Sequence, residues 1–396
     1  MKFQPCTWLK TVTTDRRYQH MKRTYAAIAL TGILAMVAHA WGNEAADSLP
    51  KWSANIPVKV ATHFAFDTSA TADGKYYLAD GSNGALDVFD AKTMTLLAQI
   101  TGDFAGVGKS FDTSSPAGVT PVPGTSLVYV GDVNSVKLID VSEKKLVKTI
   151  AVSTTGIRAD EGCLDPEHHV VMYSSGGEKP PFATFIDTRT QTIVGKLSLP
   201  DSTGLEACAY DPKNRNFVLN NDGTKANPKG EVDVIPVASV LAGKPVVAKV
   251  FALKGCGAPT GIAIGPGNDA LIGCDPDEGS KQLTLIIDRS SGKTLAELPF
   301  GGADQVAYDP VSKRYFLPAG HHSADGISQV GRKDAKFDSA LGVVDATTRH
   351  FLGSVPAGIH AHSVAVDGEL HRVFVPHAGG VSAEFSSPGV SVFATQ

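Results

Sequence analysis

Short apolar segments alternate with polar turns over most of the chain, which is typical of β-strands joined by tight connections. One segment recurs at intervals of about 47 to 57 residues and ends in an apolar residue, usually followed by Asp. Its seven copies end at Phe89-Asp90, Ile139-Asp140, Ile186-Asp187, Ile235-Pro236, Ile287-Asp288, Val344-Asp345 and Phe393-Ala394. This spacing is close to that of the blades of a β-propeller.

Each recurring segment has two predicted strands before it and one after it. In the second unit Val128-Tyr129-Val130 precedes it and Leu146-Val147-Lys148-Thr149-Ile150 follows it; in the fourth, Ala209-Tyr210-Asp211-Pro212 is a first strand. Four antiparallel strands per unit, repeated seven times around an axis, predict an all-β, seven-bladed β-propeller. The content of 40 Gly and 23 Pro agrees with many turns.

The last unit lacks a fourth strand because the sequence ends at Gln396. Ile56-Pro57-Val58-Lys59-Val60-Ala61 is an unassigned strand of suitable length. We expect this N-terminal strand to complete the last blade and close the ring, so that no strand edge is left unpaired at the seam. The predicted propeller therefore covers residues 56–396.

The second unit also carries a family resemblance. It reads Val128-Tyr129-Val130-Gly131-Asp132-Val133-Asn134-Ser135-Val136-Lys137-Leu138-Ile139-Asp140. This sequence resembles the YVTN-type repeat of exported, YncE-like seven-bladed propellers, and the resemblance extends over roughly residues 56–396. It implies the propeller fold and an exported location, but little about activity, because this fold carries many unrelated functions.

The N-terminus has the features of a secretory signal. Residues 1–40 carry a basic segment, an apolar run and the small-residue site Ala38-His39-Ala40, which predict a signal peptide cleaved after Ala40. Met21 is the expected true start, and residues 41–55 are the expected linker. No second apolar stretch of about 18 residues follows, so we expect no transmembrane segment after cleavage. The predicted location is periplasmic or secreted, by either the general or the twin-arginine export route.

Charge argues against nucleic acid as a partner. The whole chain has a net charge of −4, but the first 40 residues carry six basic residues and one acidic residue. The remaining residues therefore have a net charge of −9. Since binding to phosphates depends on Lys and Arg, an acidic body of this kind is a poor non-specific ligand for DNA or RNA.

Four cysteines remain after the predicted cleavage, an even number that is compatible with two disulfides in an oxidising compartment. Cys256 precedes the first strand of the fifth unit and Cys274 ends its second strand, so we predict that these antiparallel neighbours are bonded. Cys163 and Cys208 lie on adjacent inner strands and form a candidate second pair.

Loop length predicts which face is functional. Connections on one face are short, whereas those on the opposite face, here called the top face, are long and comprise residues 102–116, 174–181, 220–230, 320–340 and 377–389. Because binding residues tend to lie on long loops held by a rigid scaffold, we expect the top face to bind a small molecule or an envelope protein.

One register position near the start of the first strands is rich in acids. The residue five positions before the end of each first strand is, from the first unit to the seventh, Thr62, Ala117, Asp160, Glu206, Thr260, Asp304 and His362. This pattern predicts a ring of side chains around the top of the central channel. Converging buried acids require a cation or raised pKa values, although each could instead hydrogen-bond a neighbouring backbone amide.

Asp160, Glu206 and Asp304 are therefore candidate metal ligands, and a hard divalent ion such as Ca²⁺ suits them, as does a cationic substrate. Arg158 and Glu161 lie beside the ring and are candidates for holding a polar ligand group. Asp275, Lys109 and the top-loop histidines His321, His322, His360 and His377 are weaker candidates.

Three functions follow from these features. The first is an exported ligand-binding or protein-interaction module. The second is a metal-assisted, lactonase-like hydrolase with His362 as general base. The third is the propeller subunit of a redox complex of the amine dehydrogenase kind. The sequence contains no nucleotide-binding glycine loop, Gly-x-Ser-x-Gly or Cys-x-x-Cys-His motif, so it gives no support for nucleotide, serine-hydrolase or covalent haem chemistry.

Overall fold

The recurring apolar-Asp pair ends a strand and forms the next turn. In the computed structural model, which describes residues 49–60, 64–380 and 382–395, Asp140 Oδ1 accepts hydrogen bonds from the amides of Ser142 and Glu143 at 2.9 and 3.1 Å. The same arrangement recurs at Asp90, Asp187, Asp288 and Asp345. The carboxylate thus satisfies two amides of a tight hairpin, which explains why the pair recurs in five of the seven units.

The strands form seven four-stranded antiparallel sheets, which confirms the predicted seven-bladed β-propeller. Blade 1 consists of β2 (Phe66–Ala72), β3 (Lys75–Asp80), β4 (Ala85–Asp90) and β5 (Thr95–Ile100). Blade 2 consists of β6 (Val119–Pro121), β7 (Leu127–Asp132), β8 (Ser135–Asp140) and β9 (Lys145–Ala151). Blade 3 consists of β10 (Gly162–Asp165), β11 (Val170–Ser175), β12 (Phe182–Asp187) and β13 (Thr192–Ser198).

The remaining blades continue in the same order. Blade 4 consists of β14 (Leu205–Asp211), β15 (Asn216–Asn221), β16 (Glu231–Pro236) and β17 (Lys249–Ala252). Blade 5 consists of β18 (Pro259–Ile264), β19 (Asp269–Cys274), β20 (Thr284–Asp288) and β21 (Thr294–Leu298). Blade 6 consists of β22 (Ala307–Asp309), β23 (Arg314–Ala319), β24 (Ala340–Asp345) and β25 (His350–Pro356).

Blade 7 combines both ends of the described chain. It consists of β26 (Ala365–Asp367), β27 (Arg372–His377), β28 (Gly389–Ala394) and the N-terminal strand β1 (Lys51–Pro57). β1 pairs antiparallel with β28, from Lys51 opposite Ala394 to Pro57 opposite Gly389. The predicted closure is therefore confirmed, but the closing strand begins five residues earlier than expected. The predicted signal peptide, residues 1–40, lies outside the described residues.

Helices are few in the described part of the chain: α1 (Val237–Leu241) and two 3₁₀ turns at Phe111–Thr113 and Ala383–Phe385. None of these is long and apolar enough to cross a membrane.

The hydrophobic core lies between neighbouring blades rather than within one centre. The cluster between blades 7 and 1, for example, packs Ile56 and Val390 against Tyr76, Phe89 and Phe374. Equivalent clusters follow at the other blade junctions of the described chain. Each blade therefore depends on both neighbours for the burial of its apolar surface.

The predicted disulfide and the candidate second disulfide are both present. Cys163–Cys208 joins the inner strands of blades 3 and 4, and Cys256–Cys274 lies within blade 5. Disulfides form and persist in oxidising environments, so the protein is suited to such a compartment.

Ile56→Ala should destabilise the protein by roughly 2–5 kcal/mol, because the side chain is buried between the closing strand and blade 1. The measurement is the free energy of unfolding in urea. Ile193→Ala is the matched control, since it also lies on an outer strand but is 36% exposed. Equal losses in the two variants would show that the closing strand does not stabilise the ring.

Candidate functional site

A cavity of about 440 Å³ lies at the top ends of the inner strands, around the central axis. The sequence predicts that one register position of the first strands lies here. Of the described residues at that position, all except Ala117 line the cavity. The predicted site residues in the lining are Arg158, Asp160, Glu161, Glu206, Thr260, Asp304 and His362. Asp275, His321 and His360, the weaker candidates, also line it.

Asp67 was missed by the sequence analysis, which assigned Thr62 to this position in blade 1. Ala72 and Lys75 are the last pair of the first two strands of blade 1, as Asp165 and Val170 are in blade 3. Counting back five residues from Ala72 gives Asp67, which lines the cavity. Thr62 lies outside the described residues, so blade 1 contributes an acid where a neutral residue was expected.

Arg158 binds two of the acids beneath an aromatic ring. Its Nη1 lies 2.5 Å from Asp67 Oδ2 and its Nη2 lies 2.7 Å from Asp160 Oδ1, and all three side chains are buried. The guanidinium carbon lies 3.5 Å from the centroid of the Phe111 ring, in a cation–π contact. Burial raises the pKa of Asp160 to about 6, although Arg158 opposes the shift. Arg158 therefore neutralises part of the site and holds Asp160 in place.

Two glycines let the chain around Asp160 pack closely against blade 2. A Cβ atom at Gly131 would lie 2.3 Å from the carbonyl oxygen of Ala159, and one at Gly118 would lie 2.3 Å from that of Asp160. The amide of Gly118 instead donates a hydrogen bond to this carbonyl of Asp160 at 2.8 Å. The backbone that carries Asp160 is thereby fixed.

Three carboxyl groups lie close together, and none of them forms a salt bridge within the described residues. One oxygen each of Glu161, Glu206 and Asp304 lies within 4.8 Å of the other two. The predicted metal ligand Asp160 is not one of these three residues, and its carboxylate instead contacts Arg158. Its neighbour Glu161 belongs to the cluster. Oxygens at this separation fit a Ca²⁺ ion, whose ligand distances are about 2.3–2.6 Å. An all-oxygen donor set also favours a hard cation.

The pKa values of these carboxyl groups are raised. Burial is the largest cause for Glu161, Glu206 and Asp304, and neighbouring carboxylates add to it. Asp222, which follows β15, also lines the cavity, and burial together with Asp304 raises its pKa to about 6. A bound cation would lower these pKa values, so cation binding is coupled to proton release.

His362 presents one free ring nitrogen to the cavity. Its Nδ1 lies 2.7 Å from the carbonyl oxygen of His360, which can only accept, so Nδ1 carries a proton. Its ring stacks on Phe66 with centroids 4.7 Å apart, and Nε2 is buried without a hydrogen-bond partner. In the neutral ring, Nε2 is therefore an available base.

His321 is held by an acid. Its Nδ1 contacts Asp275 Oδ2 at 2.7 Å, and this hydrogen bond raises the pKa of His321. Asp275 Oδ1 and Asp222 Oδ1 are buried without hydrogen-bond partners, as is Nε2 of His362. These unpartnered polar atoms around one cavity are available to hydrogen-bond water or a ligand.

The other candidates have structural contacts. The Thr260 hydroxyl donates to the carbonyl of Ala303 at 2.7 Å, which links blades 5 and 6. His322 packs on Phe300 with centroids 4.5 Å apart. His377 is buried, and its Nε2 lies 3.1 Å from Asn55 Oδ1. His322, His377 and Lys109 are not among the residues that line the cavity.

Comparisons with known proteins support the fold. No protein-family model matches the sequence, and no curated protein matches it. A chain of the Kuenenia stuttgartiensis hydrazine synthase structure is similar, with 16% identity and a TM-score of 0.64 over 86% of this chain and 97% of that chain. A chain of a mitotic checkpoint complex structure is also similar, with 12% identity and a TM-score of 0.60 over 88% of this chain and 96% of that chain. At these identities the likeness shows the propeller fold alone.

Asp222→Asn tests the electrostatic cost of the buried acids. The folded pKa of about 6 lies above the ordinary value of 3.8, so the carboxyl group destabilises the fold as pH rises from about 4 through 6. The variant should be more stable than the wild type by roughly 1–3 kcal/mol at pH 7.5, with a smaller difference towards pH 4. Urea unfolding in chelator measures this.

Asp201→Asn is the control, because Asp201 is exposed on a loop outside the cavity. It should change stability little at either pH. A difference for Asp222→Asn that stays constant with pH would contradict the raised pKa.

Proposed function

We propose that this chain is a ligand-binding module that binds a cation in the top cavity, with Glu161, Glu206 and Asp304 as its ligands. The observation that carries this proposal is the approach of one oxygen from each of these three residues to within 4.8 Å of the others. The surrounding acids support it, because they make the cavity strongly anionic. A cation offsets the burial and the mutual repulsion that raise their pKa values.

Glu206→Gln should weaken Ca²⁺ binding by roughly tenfold or more, because it removes one of the three charged ligands and keeps the shape of the side chain. Isothermal titration of the chelator-treated protein at pH 7.5 measures the affinity. Glu297→Gln is the control for net charge, since Glu297 is exposed on the outer strand β21. Equal Ca²⁺ affinity in both variants would exclude Glu206 as a ligand.

The same titration separates a metal ion from an organic cation. If the wild type takes up no Ca²⁺, Mg²⁺ or Zn²⁺, the metal site is excluded. A panel of amines is then titrated under the same conditions. If the amines bind the wild type and bind Glu206→Gln less tightly, the ligand is an organic cation. If neither metal ions nor amines bind, the proposal is wrong.

We further propose that the protein acts in the periplasm or outside the cell. The two disulfides support an oxidising compartment, and the predicted signal peptide agrees with it. Membership of the YVTN-type family belongs to the same proposal and rests on the repeat in blade 2. The long loops around the cavity leave room for an envelope protein that contributes the cationic group.

A metal-assisted hydrolase is the second candidate, and the free Nε2 of His362 favours it. A cation on the three carboxylates would polarise the carbonyl of a lactone. His362 Nε2 would take a proton from water as its oxygen attacks the carbonyl carbon. That proton then passes to the leaving alkoxide as the ring C–O bond breaks, which gives a hydroxy acid.

His362→Gln should reduce the rate of hydrolysis of a simple γ-lactone by roughly 10²–10⁴-fold, because it removes the general base. A pH-stat assay with added Ca²⁺ measures the rate. His350→Gln, at an exposed position of β25, is the control. If wild-type protein shows no hydrolysis above the rate in buffer, the hydrolase candidate is excluded and the binding module is unaffected.

The redox-subunit hypothesis stays a prediction. The similar chain comes from a structure of hydrazine synthase, but at 16% identity it supports only the shared fold.

A further inference from the structure

Each junction between neighbouring blades has a link close to the central channel. At six of the seven junctions this link is a hydrogen bond between the two blades. From blades 1 and 2 round to blades 7 and 1, the bonded pairs are Thr68–Val119, Gly118–Asp160, Asn220–Thr260, Thr260–Ala303, Gln305–His362 and Ser69–Ser363. At the remaining junction, between blades 3 and 4, the link is the disulfide Cys163–Cys208. Nearer the bottom face of that junction, the Tyr210 hydroxyl donates to Glu167 at 3.3 Å.

The same junction carries two of the three proposed cation ligands. Glu161 lies two residues before Cys163, and Glu206 lies two residues before Cys208. The third ligand, Asp304, lies just before β22 of blade 6. Glu161 is one of the carboxylates whose repulsion raises the pKa of Glu206. The disulfide therefore joins the two inner strands that this repulsion pushes apart.

The disulfide borders the central channel. Cys208 lines a cavity of about 150 Å³ together with Glu161 and Gln305. Glu161 also lines the top cavity, and its Oε1 accepts a hydrogen bond from Gln305 Nε2 at 3.3 Å. The sulfur pair and the carboxylates thus border connected parts of one polar space, so a change at the disulfide acts directly on the site.

We propose that the Cys163–Cys208 disulfide is a redox switch for the cation site: the oxidised protein binds the cation tightly, and reduction weakens the binding. The inference rests on the proposed function, because it requires Glu161 and Glu206 to bind the same cation. With the bond intact, the two carboxylates are held near each other before the cation arrives, so less order has to be gained on binding. With the bond broken, their repulsion favours a wider arrangement.

The reductant is a dithiol. One of its thiolates attacks a sulfur of the Cys163–Cys208 pair, which breaks the S–S bond and gives a mixed disulfide. The second thiol of the reductant then displaces the protein sulfur and closes the oxidised dithiol. Two electrons pass to the protein, and Cys163 and Cys208 each finish as a protonated thiol.

The first test measures Ca²⁺ affinity by isothermal titration of the full chain at pH 7.5. The double variant Cys163→Ala/Cys208→Ala should bind Ca²⁺ roughly tenfold more weakly than the wild type. Cys256→Ala/Cys274→Ala is the matched control, because this disulfide lies within blade 5 and joins no two blades. It should bind Ca²⁺ within about twofold of the wild type. Urea unfolding of both variants shows that they are folded under the titration conditions.

The second test needs no cysteine variant. Because binding and reduction are linked, a bound cation must make the disulfide harder to reduce by the same factor by which reduction weakens binding. Wild-type protein is equilibrated with mixtures of reduced and oxidised dithiothreitol, and each cysteine pair is followed by alkylation and mass spectrometry. Saturating Ca²⁺ should protect Cys163–Cys208 roughly tenfold and leave Cys256–Cys274 unchanged. The protection should be lost in Glu206→Gln.

The outcomes separate this inference from the proposed function. If the wild type binds Ca²⁺ but Cys163→Ala/Cys208→Ala binds it equally tightly, the switch is overturned and the cation site stands. Equal protection of both disulfides by Ca²⁺ would overturn it as well, because that result reports the stability of the whole fold. If the wild type takes up no Ca²⁺, the switch fails together with the metal site, and the amine titrations alone decide the proposed function.

Discussion

Pairing of β1 with β28 is the contact on which the ring depends. Each interblade cluster needs two neighbouring blades, so a ring that stayed open between blades 7 and 1 would expose the apolar surfaces of both. The pairing joins strands more than 330 residues apart in sequence, and Ser53 reinforces it by donating to the carbonyl of Val392 at 2.8 Å. Bringing together strands so far apart in sequence costs chain entropy, but it removes the exposed strand edges.

Radial repetition also explains why charge accumulates at the top of the channel. Equivalent positions on the seven inner strands meet around one axis, so acids at one register position face each other even though they are far apart in sequence. Asp67 and Asp160 share Arg158, which leaves Glu161, Glu206 and Asp304 without such a partner. Burying like charges is unfavourable unless a proton or cation is present. The fold that brings the acids together thus requires that they are partly protonated or that a cation is bound.

The fold could be predicted from the sequence because the patterns that indicate it are local. Each apolar-Asp pair forms its own turn, and both disulfides join neighbouring strands. The error in blade 1 has a local cause as well. Phe66-Asp67 has the aromatic-Asp pattern that ends the first strand in other units, but here it begins β2. The true end is the hairpin at Asp73-Gly74, where φ is 50° and 70°, a turn that Asp-Gly favours.

Glu161 and Asp222 were harder to place, since strand alternation does not govern them. Glu161 precedes β10, in a stretch where the amide of Asp160 donates to the Ser174 carbonyl and the amide of Ser174 donates to that of Glu161. This irregular backbone brings successive acids to the site. Asp222 enters from a connection, beside Gly204, where a Cβ atom would lie 2.2 Å from Asp222 Oδ2. Such a contact joins two loops that no sequence periodicity relates.

The disulfide between blades 3 and 4 links the redox state of the protein to the site. Glu161 lies two residues before Cys163, and Glu206 lies two residues before Cys208. The covalent bond between the two inner strands therefore limits how far apart the two carboxylates can move, against their mutual repulsion. Without it, only blade packing would oppose that repulsion. The disulfide thus holds the two carboxylates near each other, as the proposed cation site requires.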